Sequence, residues 1–237
     1  MKSMKITIIS ATDMEVKPIL DYLEATFERK ALYRYHSGTL EIDVLVTGVG
    51  SVPATYGLTK YLAHNDTDQL ICIGVGGILS KEVALGEVFL IEEQYFYDLG
   101  VKESDGTFRN LFELGLMDPD LYPFRDSSLR QEGIDELSFL PKVKGITVNT
   151  VSGTEEAVAS ISANYQNVME SMEGAAFAYV ALSEQMPYLE IRAASNYIEL
   201  RERNKWELEL AVERLGEVLQ SMIASWKAAS GDRPTPE

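Results

Sequence analysis

Two spacings of hydrophobic and polar positions alternate along the chain, and they predict strands and helices in turn. Short apolar, β-branched runs predict strands over 5–10, 40–47, 69–74, 87–91, 146–152, 168–172 and 188–195. Apolar residues three and four positions apart predict helices over 15–29, 52–63, 154–163, 174–185 and 206–226. Strands that alternate with helices indicate an α/β fold, with a mostly parallel sheet that helices cover on both faces.

The segment 97–143 departs from this pattern, because Gly, Pro, Asp and aromatic residues follow one another there with weak periodicity. Irregular connections of this length in compact domains are usually functional. Neither an internal repeat nor a linker divides the rest of the chain, so we expect a single domain over 1–229. The residues 230–237 (SGDRPTPE) predict a frayed tail.

Charge and hydropathy narrow the partners that the protein can have. The 237 residues include 21 Lys and Arg against 37 Asp and Glu, a formal net charge of −16. Nucleic acids and anionic membrane surfaces require a basic footprint, so neither is an expected partner. No run approaches the roughly 18 apolar residues of a membrane span, and the first apolar run is too short for a signal peptide. We therefore expect a cytoplasmic protein.

Residues that commonly bind metals are scarce. Cys72 is the only cysteine, and His36 and His64 are the only histidines. A single cysteine excludes a disulfide within the chain and a metal site built from several cysteines. Two histidines far apart in sequence argue against a His-rich metal site.

Acidic side chains stand near the predicted ends of two strands. Asp13 and Glu15 follow the first strand, and Glu170 and Glu173 lie where a later strand passes into a helix. An acid in the first turn of a helix stabilises the helix dipole by about 0.3–1 kcal/mol, so each of them has a purely structural interpretation. Arg192 is different, because it lies inside an apolar strand and a buried arginine requires a carboxylate partner.

Small and polar residues also mark strand ends. The segments Gly48–Gly50 (GVG) and Gly74–Gly77 (GVGG) follow predicted strands. Glycine lets the backbone approach a ligand at such a position, but it also forms ordinary tight turns. Neither segment matches the dinucleotide-binding fingerprint or the phosphate-binding P-loop. Ser195 and Asn196, at the end of the last predicted strand, are also typical of a helix cap.

Six motifs occur in one order along the chain: SATDMEVKPI, TGVGSVPA, GVGG, VSGT, ESMEGAA and RAASN. Together they resemble the nucleoside phosphorylase superfamily, in the branch of the methylthioadenosine/S-adenosylhomocysteine nucleosidases. Within that branch, ESMEGAAFA and SNYIELRERNKWEL are most similar to the futalosine hydrolases, which release hypoxanthine from futalosine in an alternative menaquinone pathway. The resemblance implies a three-layer α/β/α domain around a mixed sheet, no metal or organic cofactor, and a homodimer or higher homo-oligomer.

The resemblance also implies roles for individual residues. Glu15 occupies the place of the catalytic acid near the water and the purine, and Glu173 occupies that of the glutamate that holds the ribose hydroxyls. Arg192 matches an arginine that helps to hold the nucleophilic water, and Asn196 stands where adenine-specific nucleosidases carry an aspartate. The further substrate-binding positions implied are Met172 beside the sugar, Gly74, Gly76, Ser152 and Gly153.

Two departures from the adenine-specific pattern concern the base. The aromatic residue that stacks on adenine is missing, because Ser152 and Gly153 soon lead into Glu155 and Glu156. The aspartate is replaced by Asn196, whose NH2 group can donate to O6 or N7 of hypoxanthine, where a carboxylate would face two acceptors. Both departures predict a preference for 6-oxopurine nucleosides, and hence hydrolysis of futalosine to hypoxanthine.

Other functions remain as alternatives to this prediction. A methylthioadenosine/S-adenosylhomocysteine or aminodeoxyfutalosine nucleosidase comes first, followed by a purine nucleoside phosphorylase, although the glycine-rich segments carry no Arg or Lys for phosphate. A nucleoside-sensing protein is the non-enzymatic alternative, and the joint presence of Glu15, Glu173 and Arg192 argues against it. The carboxylate off C5′ of futalosine requires a cation, for which the candidates are Arg109, Arg201, Arg203 and Lys205.

Overall fold

The computed structural model describes residues 3–130 and 139–230, apart from the side chain of Arg203. The strands are β1 (Met4–Ser10), β2 (Glu28–Ala31), β3 (Arg34–Ser37), β4 (Leu40–Val46), β5 (Gln69–Ile78), β6 (Val88–Phe96), β7 (Gly100–Lys102), β8 (Phe108–Asn110), β9 (Leu129–Arg130), β10 (Lys142–Thr147), β11 (Met169–Ser171) and β12 (Tyr188–Tyr197). The helices are α1 (Asp13–Thr26), α2 (Ser51–Leu62), α3 (Glu155–Asn164), α4 (Gly174–Ser183) and α5 (Leu208–Ala229), and a 3₁₀ turn lies at Arg203–Lys205.

Five of the strands close into a ring. β5 pairs with β12, β12 with β6, β6 with β10, β10 with β11, and β11 returns to β5. Outside the ring, the sheet continues from β5 through β1 and β4 to the edge strands β3 and β2. One part of the sheet is therefore closed, and the other part is an open extension.

The expected mixed α/β sheet is present, but it is not mostly parallel. Among the described strands of this sheet, five pairings are parallel and five are antiparallel. The alternation of strands and helices predicted parallel neighbours, and the β2–β3 hairpin and the pairs β6–β12 and β5–β11 depart from that rule. The three-layer arrangement is not confirmed either, because the central strands form a ring rather than one open layer.

Two pairs of helices pack on the sheet and bury separate cores. α1 contacts α5 where a Cβ on Gly216 would lie 2.7 Å from the Cβ of Pro18, so glycine permits this close approach. Leu219 belongs to the core on this side. α2 contacts α4 around a second core that includes Leu58 and Phe177. Full burial of each such side chain contributes about 1.5–3 kcal/mol.

Most of the predicted elements are present with shifted ends. α1 stops at Thr26, because residues 28–31 form β2 in a hairpin that the polar sequence did not predict. β10 lies earlier than the predicted strand 146–152. α5 begins at Leu208, so Trp206 precedes the helix.

The irregular segment 97–143 holds short elements in its described part. β7 and β8 form a two-stranded hairpin, and β9 pairs with β6, whereas residues 131–138 lie outside the described residues. The tail predicted at 230–237 also lies outside them, except Ser230, which caps α5. No helix in the described ranges is long and apolar enough to cross a membrane.

Candidate active site

One cavity collects most of the predicted site residues. It lies at the carboxyl ends of the mutually parallel neighbours β4, β1, β5 and β12, the edge at which α/β sheets bind ligands. Its volume is about 270 Å³. The residues that line it are Ala11, Thr12, Met14, Glu15, Val49, Val75, Gly76, Gly77, Val151, Glu170, Ser171, Met172, Glu173, Ser195, Asn196, Trp206 and Leu208.

Glu15 enters the cavity from the first turn of α1. It forms a capping box with Thr12, whose backbone N–H and hydroxyl donate to Glu15 Oε2 at 3.1 and 2.7 Å. Oε1 accepts from the backbone N–H of Val75 at 3.0 Å. The helix cap and β5 therefore hold the buried carboxylate in one orientation, and capping the helix is compatible with facing the cavity.

Glu173 lies at the N-cap of α4, and its side chain makes no capping hydrogen bond. Instead, Oε1 accepts from the backbone N–H of Gly50 at 2.8 Å, and Oε2 lies 3.6 Å from Arg192 Nη1. Gly50 has a φ of +96°, a left-handed conformation that favours glycine. The glycine turn after β4 thus directs an N–H at this acid, and helix capping does not account for the Glu173 side chain.

Arg192 lies behind the two acids on β12 and is only 1% exposed. Its Nε lies 2.8 Å from Glu190 Oε1, which confirms that this buried arginine has an interior carboxylate partner. Nη1 donates to the carbonyl of Val75 at 3.3 Å. Burial by itself would lower the pKa of Arg192, but the carboxylates of Glu190, Glu173 and Glu15 raise it, so the guanidinium stays charged.

The glycines of β5 make room for these side chains. A Cβ on Gly74 would lie 2.7 Å from Arg192 Nη1 and 2.9 Å from Glu15 Oε1. A Cβ on Gly76 would lie 2.6 Å from the carbonyl oxygen of Glu170. The tight-turn interpretation of this segment is wrong, because it continues the strand without a positive φ. What these positions require is the absence of a side chain.

Asn196 follows a bulge near the end of β12 and lines the cavity. Its Oδ1 accepts from the Ser195 hydroxyl at 2.9 Å, and its Nδ2 donates to the carbonyl of Tyr197 at 3.1 Å. This network assigns the orientation of the amide, and Nδ2 carries a second hydrogen with which it can bind a ligand. The helix-cap interpretation is wrong, because the strand continues through Asn196 to Tyr197.

The remaining predicted positions differ in their distance from the cavity. Met172 lines it directly. Ser152 lies in a small adjoining pocket, and its backbone N–H donates to Glu170 Oε1 at 3.0 Å. The carbonyl of Gly153 accepts from the N–H of Arg201 at 3.3 Å, and Gly153 is outside the cavity wall.

Glu170 and Trp206 also line the cavity, and neither was predicted as a site residue. Burial raises the pKa of the Glu170 carboxyl above its usual range, and hydrogen bonds from Ser152 oppose that shift. Trp206 supplies an aromatic ring, and the Cζ atom of Arg201 lies 5.3 Å from its centroid. A signal existed for each, because Glu170 lies three residues before Glu173 and Trp206 opens the predicted closing helix.

The candidate cations for the substrate carboxylate lie at different places relative to the cavity. Arg201 stands over the Trp206 ring and lines the pocket beside the cavity. Lys205 also lines that pocket, but its Nζ pairs with Glu202 at 2.8 Å. Arg109 lies on β8 outside the cavity wall, and the Arg203 side chain lies outside the described part of the chain.

Negative charge dominates the cavity. Glu15, Glu170 and Glu173 line it, and its described wall contains no Lys, Arg or His. Preorganised carboxylates favour a ligand that develops positive charge, and phosphate binding would require the opposite. Over residues 3–130 and 139–230, no group of three or more His, Cys, Asp or Glu side chains is arranged to hold a metal ion.

Comparison with known sequences identifies the family. The phosphorylase superfamily matches residues 5–224. Futalosine hydrolase of Acidothermus cellulolyticus is 30% identical over 233 residues, which cover 95% of this chain and 91% of the relative. The chain belongs to the phosphorylase superfamily.

Two solved structures from Helicobacter pylori share the fold. Futalosine hydrolase has a TM-score of 0.76 at 17% identity, with 94% of this chain and 98% of the other covered. A 5′-methylthioadenosine/S-adenosylhomocysteine nucleosidase also has a TM-score of 0.76, at 18% identity, with 95% and 100% covered. The chain therefore has the nucleoside phosphorylase-like fold that its motifs predicted.

Proposed function

We propose that the protein hydrolyses the N-glycosidic bond of a purine nucleoside, and that its substrate is futalosine, with hypoxanthine as the released base. The observation that carries this proposal is that Glu15 and Glu173 meet in one cavity whose wall also includes Asn196. The futalosine hydrolase that matches nearly the whole chain supports the choice of substrate.

Glu15 is the general base in this proposal. As the bond between C1′ and the base nitrogen breaks, its electron pair leaves with the purine and the sugar gains oxocarbenium character. A water oxygen bonds to C1′ and gives one proton to Glu15, and a proton returned to the base nitrogen keeps the balance. Thr12 and Val75 fix the carboxylate for this transfer.

Glu173 binds the sugar. A carboxylate that accepts hydrogen bonds from the 2′ and 3′ hydroxyls places negative charge near the developing cation. Gly50 and Arg192 hold Glu173 for that contact, and Met172 packs beside the ribose. Arg192 lies behind the wall, so it acts as a positioning residue for both acids.

Water is the proposed nucleophile. Phosphorolysis requires cations that bind phosphate, and the described cavity wall carries three acids and no Lys, Arg or His. A phosphate anion in this cavity would meet like charge without a compensating partner. This observation favours hydrolysis over phosphorolysis.

Arg201 is a candidate cation whose pocket adjoins the cavity and its Trp206 ring. Trp206 connects the cavity to the small pocket that Arg201 lines. An arginine matches the geometry of a carboxylate, and the ring beneath it limits its freedom. The same pocket is lined by Ser152 and Asn196, so Arg201 stands on the base side of the substrate.

The assay that tests this function uses futalosine, aminodeoxyfutalosine, methylthioadenosine and inosine, each with and without phosphate. The expected result is free hypoxanthine from futalosine in the absence of phosphate. Release that depends on phosphate indicates a phosphorylase, and faster release of adenine indicates one of the adenine nucleosidases. Binding without release of any base indicates a nucleoside sensor.

Asn196→Asp is expected to move the preference toward adenine substrates. The amide donates to O6 of hypoxanthine, whereas a carboxylate repels O6 and accepts from N6 of adenine. One buried polar contact of this kind corresponds to about 1–3 kcal/mol, or roughly 5- to 150-fold. The measurement is the ratio of kcat/KM for futalosine and aminodeoxyfutalosine, and an unchanged ratio would remove Asn196 from base selection.

An exposed apolar face supports the proposed homodimer. Val52 and Tyr56 on α2 are 78% and 66% exposed, and Tyr179 on the neighbouring α4 is 40% exposed. Large apolar side chains exposed on two helices that pack together favour an interface. In this proposal residues 1–229 form one domain, and two copies join through this face about a two-fold axis, the simplest homo-oligomer.

Tyr56→Glu is expected to convert the dimer to a monomer, because a buried unpaired charge opposes the contact. Light scattering under native conditions measures the change in mass. Leu32→Glu is the matched control, because Leu32 is 69% exposed on the β2–β3 turn and belongs to neither helix of this face. A wild-type monomer, or dissociation by both variants, contradicts the assignment of this face.

A further inference from the structure

Three neighbouring strands place Glu170, Gly77 and Asn196 in one row. Glu170 on β11 and Asn196 on β12 both pair with Gly77 on the intervening β5. All three line the cavity, and a Cβ on Gly77 would lie 3.0 Å from Asn196 Nδ2. Residues directly opposite one another across strands share a face of the sheet. An acid and an amide therefore flank a position that has no side chain.

The carboxylate of Glu170 is only half satisfied by the protein. It is 4% exposed, and Oε1 accepts from the backbone N–H of Ser152 at 3.0 Å. Oε2 is buried and has no hydrogen-bond partner among the described residues. Buried carboxylate oxygens are expensive to leave without a donor. The proposed hydrolysis of the glycosidic bond does not use this group, so its place in the cavity wall calls for a ligand donor.

We propose that Glu170 is a specificity-determining residue that accepts a hydrogen bond from N1–H of a 6-oxopurine, while Asn196 donates to O6 of the same ring. This inference rests on the proposed function for the identity of the base. Strand neighbours lie about 5 Å apart, so the two Cα atoms that flank Gly77 are at most about 10 Å apart, and closer where the ring of strands curves. The edge of a flat ring enters between the two side chains, and Gly77 forms the floor.

The arrangement distinguishes 6-oxopurines from adenine at two atoms. Adenine presents an acceptor at N1 and a donor at N6, the reverse of the hypoxanthine pattern. The carboxylate of Glu170 then faces a lone pair, and the NH2 of Asn196 faces another NH2 group. Asn196 cannot rotate to escape this conflict without breaking its hydrogen bonds to Ser195 and Tyr197.

Glu170→Gln tests the contact directly. The amide oxygen remains on the N–H of Ser152, so the NH2 group replaces Oε2 and presents a donor to the base. The Kd values of free hypoxanthine and adenine, measured by titration calorimetry, are expected to shift in opposite directions. The ratio of the two Kd values changes by about 10- to 100-fold toward adenine, the range of one mismatched polar contact. The exposed acid Glu41 on β4 provides the matched control Glu41→Gln, which leaves the ratio unchanged.

Gly77→Ala gives a second, independent measurement. A Cβ at Gly77 would lie 3.0 Å from Asn196 Nδ2 and 3.2 Å from Ile198 Cγ1, so a methyl group fills the floor between Glu170 and Asn196 and also presses on the Asn196 amide. This variant is expected to weaken the binding of hypoxanthine at least about tenfold, and an unchanged Kd for hypoxanthine contradicts the position proposed for the base. Thermal unfolding confirms that each variant is folded.

The proposal is overturned if Glu170→Gln changes the two Kd values by the same factor, or if it changes neither. A wild-type protein that binds neither base overturns it as well. Because these titrations involve no turnover, they separate this inference from the proposed reaction. Hydrolysis of futalosine with an unmoved Kd ratio rejects only the role of Glu170. A shifted ratio without hydrolysis rejects only the reaction.

Discussion

Glu15→Gln and Glu173→Gln are each expected to lower kcat by about 10²- to 10⁴-fold, the usual contribution of a group that moves a proton or holds charge at the reacting centre. Gln at position 15 cannot take a proton from water. Gln at position 173 no longer places a negative charge beside the sugar. The rate of base release from futalosine at saturating substrate measures both effects.

The structure supplies a control for the helix-capping role of Glu15. Gln also closes a capping box with Thr12, so the fold of α1 is expected to survive the substitution. Asp13→Asn is the matched control, because Asp13 is an exposed acid in the same turn and binds Tyr33 outside the cavity. That change costs only the dipole contribution of about 0.3–1 kcal/mol. Rates near wild type in both glutamine variants would reduce Glu15 and Glu173 to structural acids.

The sequence could predict much of the fold, because the apolar runs that become β1, β4 and β12 have few alternatives. It could not predict the ring of strands. The residues of β2 are all exposed, and Tyr35 is the only buried residue of β3, so the hairpin from 28 to 37 left no periodic signal. The GVGG segment has the composition of a turn, yet it is part of β5. Space explains the glycine at position 74, because a Cβ there would collide with Arg192 and Glu15. Side chains that are far apart in sequence but meet in the fold impose this need for glycine, so sequence periodicity does not reveal it.

The ordered motifs predicted which residues share the cavity, and the chemistry around them was harder to anticipate. Buried Arg192 predicted a carboxylate partner without naming it. Glu190 could have been predicted as that partner, because residues two apart on a strand share a face. In the structure Arg192 Nε lies 2.8 Å from Glu190 Oε1. Glu170 left a weaker signal, because it lies only three residues before Glu173 and an acid beside a helix N-terminus has an ordinary structural explanation. Its environment depends on the closure of β11 onto β5.

Arg192→Met is expected to destabilise the protein by about 3–5 kcal/mol, because it leaves buried carboxylates without their cation. Arg192 and Glu190 are each 1% exposed, and the guanidinium also faces Glu173. For a chain of this length, such a loss lowers Tm by roughly 6–20 °C. Chemical denaturation and thermal unfolding followed by circular dichroism measure the change.

The Glu190→Gln/Arg192→Met double variant identifies the cause of this loss. If uncompensated charge is responsible, neutralising Glu190 restores part of the stability that Arg192→Met removes. Gln keeps an acceptor for Gln94, whose Nε2 donates to Glu190 at 2.9 Å, so that contact is not lost with the charge. Arg192→Lys keeps the positive charge without the planar guanidinium, and its stability is expected to lie between those of wild type and Arg192→Met. If the double variant is no more stable than Arg192→Met, packing of the long side chain under Gly74, and not its charge, holds this part of the fold together.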